Sequence, residues 1–316
     1  MGVTPPASAV ALDGSTPILF LSDLHFGDGS TTDLFGRQDE RLIAFLEEQR
    51  SQVGAIVFLG DILDLPQAWS VGRVRRAHGE VLRYLGDLAR SARVIFLRGN
   101  HDWAVDYETS FPGSTCREAV LLGERALAWH GHQVDLVMNP GAADATVKTY
   151  LHALLERAAG CRLVPPLERY DSPANRLAMA GAVAWARLLV IRARWLRSLG
   201  QRGQAGALEE RVRYLARAFQ GDPADLFGAT VRTVLGDRFN TVVCGHSHVP
   251  GVVGTPRGVY VNTGAWASGL RTYGLWTGSR MQVCEVDTGR ELGDEEYRGI
   301  PAQTEPNDLF DCWARR

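Results

Sequence analysis

Five short apolar runs each end directly in a cluster of Asp, Asn and His: ILFL from Ile18, AIVFL from Ala55, VIFL from Val94, ALAW from Ala126 and TVVC from Thr241. Between the first three lie amphipathic stretches. Leu42, Phe45 and Leu46 share one helical face within 38–50, and Val74, Ala77, Leu82 and Leu85 approximate one within 70–92. Apolar runs alternating with such stretches are the mark of βαβ units, so both helices are expected to pack on a sheet. The run GVYVN followed by GLWTGSRMQVCEVD reads as closing strands and a hairpin.

In α/β sheets, functional side chains gather where strands end, because there the backbone turns and a crevice opens. Asp23 and His25 follow the first run, Asp61 and Asp64 the second, and Asn100, His101 and Asp102 the third. His130 and His132 follow the fourth, and His246 and His248 the fifth. Any one cluster could be an ordinary turn. Five together, holding six of the chain's eight histidines, cannot be explained that way. Carboxylate, amide and imidazole donors without a thiolate suit Mn²⁺, Fe or Zn²⁺, with a carboxylate free to bridge two ions. Glycines at 60, 99, 131 and 245 fit tight turns that bring backbone close to such a site.

The order SDLH, GDILD, GNHD, HGH and GHSH resembles the calcineurin-like metallophosphoesterases over 18–265, apart from an insertion. The resemblance implies a four-layer αββα sandwich and a two-metal-dependent phosphoester hydrolase using a metal-bridging hydroxide. It implies that Asp23, His25, Asp61 and His248 hold one ion, with Asp61 bridging to a second held by Asn100, His130 and His246. Mn²⁺ is the expected metal, with Fe or Zn²⁺ as alternatives. His101 is the expected general acid or electrostatic stabiliser, held by Asp64, although Asp64 could instead cap the helix that follows it. Arg98, His132 and Trp266 lie beside the motifs and are candidates for substrate contact, as is Asn262. His78 and His152 fall in helical stretches and read as ordinary surface or packing residues.

A formal charge of −2 and a pI near 6.5 give no global attraction to nucleic acid or anionic membrane, and no nucleic-acid partner is expected. Five widely spaced cysteines without a C-x-x-C argue against a disulfide framework or a structural zinc site and fit a cytoplasmic location. Residues 1–17 hold no Lys or Arg and no long apolar stretch, so they read as a disordered lead-in rather than a secretory signal. The core is expected over 18–138 and 240–290, with a C-terminal extension over 291–316.

Residues 139–239 read as a helical insertion, a lid or subdomain, with helices at 146–159, 174–199 and 208–219 separated by Pro165-Pro166 and the turn GQRGQAG. The stretch 177–191 is nearly continuous apolar sequence, too short to span a membrane at ~20 residues and interrupted by Arg187. Arg192, Arg194, Arg197, Arg202, Arg211, Arg213 and Arg217 follow, opposed nearby by Glu209 and Glu210. This composition suits either a buried helix or a peripheral contact at the inner membrane face. A helical insertion at this place also resembles that of the UDP-2,3-diacylglucosamine pyrophosphohydrolases. A lipid-linked or nucleotide diphosphate is therefore the expected substrate. A soluble cyclic-nucleotide phosphodiesterase or phosphoprotein phosphatase is the alternative. A scaffold without catalysis is the poorest reading, because every ligand position is filled.

Overall fold

The computed structural model describes residues 8–134, 150, 153, 173–209, 212 and 223–298. Two six-stranded sheets stack face to face. One has the order β12-β11-β2-β3-β4-β5, formed by Met281–Glu285, Thr272–Trp276, Ile18–Leu21, Ala55–Phe58, Val94–Leu97 and Thr115–Arg117. The other has the order β1-β6-β7-β8-β10-β9, formed by Ala9–Leu12, Ala119–Leu122, Ala126–Trp129, Thr241–Cys244, Gly258–Asn262 and Gly251–Thr255.

Strands β2, β3, β4 and β7 are apolar at every position because both of their faces are buried. Ile18 and Phe20, Ala55 and Val57, and Ile95 and Leu97 point between the sheets, where they meet Ala126, Ala128, Val243 and Val261. The alternate residues Leu19, Leu21, Ile56, Phe58 and Phe96 point outward, against Leu42, Phe45 and Leu46 of α1 (Asp39–Gln49) and Leu82 and Leu85 of α4 (Gly79–Ser91). At ~1.5–3 kcal/mol for each fully buried large apolar side chain, this two-sided burial is the main force holding the layers together. The fourth layer is helical. Leu226, Phe227 and Val231 of the helix Pro223–Thr233 cover Leu127, Trp129, Val242 and Tyr260 on the outer face of the second sheet. The expected αββα sandwich is thus the observed fold.

Several sequence boundaries are corrected. Ala9–Leu12 is not a disordered lead-in, since it pairs with β6 in parallel register, from Ala9 opposite Ala119 to Leu12 opposite Leu122. The helix expected over 70–92 is interrupted at His78, giving α3 (Val71–Ala77) and α4, and Ala77 is exposed rather than on the buried face. The helix Pro223–Thr233 belongs to the core sandwich, not to the insertion. Residues 291–298 also join the core, because Leu292 N–H donates to the Val283 carbonyl and the buried Tyr297 donates its hydroxyl to the Val249 carbonyl. Most of the helix expected over 146–159 with His152, Pro165-Pro166, most of 208–219 with Arg211, Arg213 and Arg217, and residues 299–316 lie outside the described residues.

The expected helix at 174–199 is present as Pro173–Ser198. Its Ala186, Leu189, Ala193 and Leu196 are buried against Ala205, Leu208 and Val212, within and just beyond a helical segment at 202–209. No described helix is long and apolar enough to cross a membrane.

His78 is not a surface residue. It is buried beneath Phe26 and Phe35, with Nε2 2.9 Å from Asp33 Oδ2 and Nδ1 3.0 Å from Asp39 Oδ1. Burial alone would lower its pKa, but hydrogen bonds to Asp33 and Asp39 and their charges outweigh it and raise the value from 6.5 to about 9. A raised folded-state pKa contributes stability that is fully present below pH ~6.5 and is lost as pH rises through about 9. Thermal unfolding of wild type and His78→Asn across pH 6 to 10 should therefore show a Tm gap that is largest near pH 6 and narrows toward pH 10. A constant gap would mean that packing alone accounts for His78.

Candidate metal centre

Strands β2, β3 and β4 are parallel neighbours in one sheet, and β7 and β8 are parallel neighbours in the other. Their carboxyl ends therefore open on the same edge of the sandwich, and all five polar clusters meet there. The loops stay in register beyond the strands. Asp23 N–H donates to the Gly60 carbonyl at 3.1 Å and His25 N–H to the Asp61 carbonyl at 2.9 Å. Gly245 N–H donates to the His130 carbonyl at 3.0 Å.

The donor atoms form three close sets: Asp23, His25 and His248; His25, Asp61 and His101; and Asp61, His130 and His246, each within 4.8 Å. His25 Nε2 and His248 Nε2 are 3.2 Å apart, and His248 Nε2 is 3.2 Å from Asp23 Oδ1. On the other side, His130 Nε2 is 3.2 Å from Asp61 Oδ2 and 3.1 Å from Asn100 Oδ1. The His130 and His246 rings are 5.1 Å apart. Asp61 belongs to both sides.

Local backbone geometry aims these groups. Asp23, His25, Asp61, His246 and His248 all have φ between +52 and +67°, and Trp69 is the one other non-glycine residue described with positive φ. Left-handed backbone is uncommon outside glycine, with Asp and His among the types that adopt it most often, and such conformations collect at functional sites. Gly60, at φ +104°, continues the turn into Asp61. Gly99 allows close approach instead, because a Cβ there would overlap the Asp61 carboxylate.

Two of the imidazoles, His130 and His25, have an oxygen beside the nitrogen that faces away from the cluster. His130 Nδ1–H donates to the Leu59 carbonyl at 2.9 Å, which leaves Nε2 bare toward Asp61 and Asn100. His25 Nδ1 lies 3.4 Å from Asp64 Oδ2. Burial opposes charge on His25, yet hydrogen bonds to Asp23 and Asp64 and nearby carboxylates raise its pKa to about 10. His130 is likewise raised to about 9, chiefly by the charge of Asp61. Burial would raise the carboxyls of Asp23 and Asp61, but the surrounding imidazoles hold both well below the usual carboxylate range. For His248 burial prevails and the pKa falls.

These residues fit a divalent cation. The donors are hard oxygens and imidazole nitrogens, and their spacing of 3.1 to 3.8 Å suits atoms sharing one ion with bonds of about 2.0–2.2 Å. Asp23 Oδ1 is fully buried with no hydrogen-bond donor of its own, an arrangement that costs free energy unless a cation faces it.

His101 sits at the rim. Its N–H donates to Asp61 Oδ1 at 2.7 Å, its Nδ1 is 2.9 Å from Asp64 Oδ1, and its side chain remains 19% exposed. Asp64 fills both roles open to it in the sequence, because the same Oδ1 also caps α2 (Leu65–Ala68) by accepting from Gln67 N–H at 3.2 Å. His132 borders the cluster, its ring 5.3 Å from that of His130.

Two of the other substrate candidates are corrected. Trp266 is fully buried and packs on Phe45 at 5.6 Å, so it is a core residue. Asn262 is buried and donates to the Gly245 carbonyl and to Ser247 Oγ, bracing the GHSH turn rather than facing solvent. Arg98 is exposed beside Cys116 and Asp106, outside the gathered donors.

Two positioning groups, Asp102 of the third cluster and Ser22 of SDLH, were given no role from sequence. Asp102 is buried, and its carboxylate accepts from Ile62 N–H at 2.7 Å, Gly99 N–H at 2.7 Å and the Tyr107 hydroxyl at 2.6 Å, tying the second motif loop to the third. Ser22 Oγ donates to Asp23 Oδ2, which also accepts His246 N–H at 2.9 Å. Their adjacency to the motif residues was the available signal.

Residues 16–144 match the family described as calcineurin-like phosphoesterase. A UDP-2,3-diacylglucosamine hydrolase from Porphyromonas gingivalis is 35% identical over 102 residues, which are 31% of this chain and 37% of that protein. The match thus spans little more than a third of the curated relative's length. Among solved structures, a phosphoesterase from E. coli superposes over 88% of this chain and 97% of its own with 14% identity and a TM-score of 0.40. Vacuolar protein sorting 29 from Cryptosporidium parvum superposes over 87% and 93% with 13% identity and a TM-score of 0.34. Scores below 0.5 define no closer kinship.

The tight seat of Asp61 against Gly99 yields a test remote from any reaction. Gly99→Ala should displace the Asp61 carboxylate, cost about 1–3 kcal/mol in overpacking, and lower divalent-ion uptake measured by atomic absorption after dialysis. Wild-type stability and metal content in this variant would contradict the described geometry.

Proposed function

Because residues 16–144 carry a calcineurin-like phosphoesterase domain, we propose that this chain is a metal-dependent hydrolase of phosphoester or pyrophosphate bonds. Its proposed substrate is a lipid-linked or nucleotide diphosphate of the UDP-diacylglucosamine type. The observation that carries the reading is the sharing of Asp61 between donor sets that together collect three carboxylate or amide groups and four imidazoles at one sheet edge. Asp23, His25, Asp61 and His248 would hold one ion, and Asp61, Asn100, His130 and His246 a second. Two such ions, manganese by preference, would supply Lewis acidity toward phosphoryl oxygens and a nucleophile at neutral pH.

The chain's own groups then have distinct tasks. Asp64 fixes the His101 ring through Nδ1, so the proton offered to a leaving oxygen is the one on Nε2. Ser22 and the His246 amide hold one oxygen of Asp23, which leaves the other facing inward. Asp102 plays no direct part, because its oxygens are committed to Ile62, Gly99 and Tyr107.

The amphiphilic substrate class is supported by the P. gingivalis relative and by the outer face of the helix Pro173–Ser198, labelled α6. Trp185, Leu188, Ile191, Trp195 and Leu199 are all more than half exposed, at a spacing that gathers them on one side of the helix and the turn that ends it. Arg192 and Arg194 are exposed beside them, whereas Arg197 is paired with Glu209 at 2.7 Å. Aromatic and aliphatic side chains edged by arginine suit a surface where acyl chains meet anionic headgroups. This stripe favours an amphiphilic substrate at a membrane surface over a soluble cyclic nucleotide or phosphoprotein.

Asp61→Ala should lose bound metal and activity together, as read by metal analysis and by turnover of a nitrophenyl diester with Mn²⁺. His101→Ala should keep its metal and lose about 10²–10⁴-fold in kcat, with a smaller loss for substrates carrying good leaving groups. Retained metal and turnover in Asp61→Ala would end the two-ion reading. For the α6 face, loss of two basic side chains at about 1 kcal/mol each near an anionic surface should weaken partitioning of Arg192→Gln/Arg194→Gln onto phosphatidylglycerol vesicles by roughly thirtyfold. Unchanged partitioning would make α6 a packing helix only.

A further inference from the structure

A second charged feature lies outside the metal centre. A cleft of about 810 Å³ opens between the loop at 27–37 and α3, lined by Asp28, Arg37, Asp39, Arg73, Arg76 and His78 among others. We propose that this cleft is an anion-binding site for a phosphate-bearing small molecule.

The charge balance of the lining points to this ligand class. Both carboxylates are already engaged: Asp28 Oδ1 accepts from Gln67 Nε2 at 2.7 Å, and Asp39 Oδ1 is 3.0 Å from His78 Nδ1. The third carboxylate nearby, Asp33, takes the other His78 nitrogen at 2.9 Å and the Gly29 N–H at 2.7 Å. The guanidinium groups of Arg37, Arg73 and Arg76 make no hydrogen bond or ion pair with the described residues. All three are exposed around one cleft, so their donors are available to anion oxygens there. Arg is the side chain whose planar fork of donors matches phosphate geometry. The volume falls within the roughly 300–1,000 Å³ typical of small-molecule sites, and the charged lining excludes an apolar occupant.

The cleft is built rather than incidental. His78 breaks the helix between α3 and α4 and anchors the loop from below through Asp33 and Asp39. Gln67 anchors it from the side, its Nε2 donating to Asp28, Ser30 and Thr32 and its Oε1 accepting Asp28 N–H at 2.9 Å. Gln67 lies on the same short α2 whose N-cap, Asp64, holds His101. The loop itself begins two residues after His25. The loop of the arginine cleft and the His101 rim are therefore braced by the same short helix, although the inference does not rest on the hydrolase reading.

The test uses the full-length chain freed of metal with EDTA, so that the Asp and His cluster cannot hold an ion and thereby an anion. Calorimetric titration with inorganic pyrophosphate should show one site that weakens as salt is raised. Affinity should fall at least tenfold in Arg73→Gln/Arg76→Gln and again in Arg37→Gln. The second variant sits on the opposite wall and guards against a disturbed α3. No binding by wild type, or equal binding by both variants with wild-type circular dichroism, would overturn the proposal.

A companion measurement with Mn²⁺ present separates the two sources of phosphate. A raised KM for a UDP-linked diphosphate in the variants identifies the ligand as the substrate's own phosphates. An unchanged KM with pyrophosphate binding lost identifies a separate phosphate ligand, and either outcome sustains the site. A chain that hydrolysed nothing could still bind pyrophosphate here, so failure of the hydrolase reading and failure of this one are distinguishable.

Discussion

Five of the seven residues proposed to hold metal sit in left-handed backbone, and the rest of the architecture can be understood as what holds them there. Each such residue costs on the order of 1–3 kcal/mol, so together they would consume much of the net stability of an ordinary domain, about 5–15 kcal/mol. The strain persists only where the surroundings over-determine the chain. Here that support is the pair of sheets with both faces buried and the ladder of backbone bonds that runs past the strand ends, from Asp23 to Gly60 and from His25 to Asp61. The sixth left-handed residue, Trp69, ends α2 in the conformation helices commonly use to terminate, and requires no such explanation.

The same rigidity controls charge. Carboxylates as deeply buried as Asp23 and Asp61 would ordinarily take up protons, and only the surrounding imidazoles keep them ionised. A divalent cation would satisfy that demand more completely than protons on His25 and His130. The bond from His130 Nδ1 to the Leu59 carbonyl matters for this reason, because it sets the tautomer before any ion arrives. Asp102 shows the complementary case. Burial and the charge of Asp61 raise its pKa, while three donors spend its oxygens on joining two motif loops. Two aspartates in neighbouring motifs thus have opposite fates because of what surrounds them.

The site was legible in sequence because its residues are local to strand ends, and strand ends in an α/β sheet converge. The five clusters could be read as one centre, and Asp64 could be paired with His101. Burial direction was not legible. Asn262 ends β10 and Trp266 lies just beyond it, at a strand end like those that carry the clusters, yet both are buried. Likewise β1 escaped notice because AVAL has no flanking motif or strong alternation, and its strand character comes from pairing with β6, a partner over a hundred residues away. For His78 the choice between surface and packing stayed open, because nothing local announces that Asp33 and Asp39 will close on it.

On the proposed reading, the metal centre would recognise the phosphoryl group that all the candidate substrates share. Discrimination among phosphoesters must therefore come from surfaces that reach the remainder of the molecule. The structure has two surfaces of unlike chemistry: an arginine-lined cleft that shares α2 with the His101 rim, and an apolar stripe on α6. A phosphate-rich group suits the first and an acyl chain the second, and neither surface suits both.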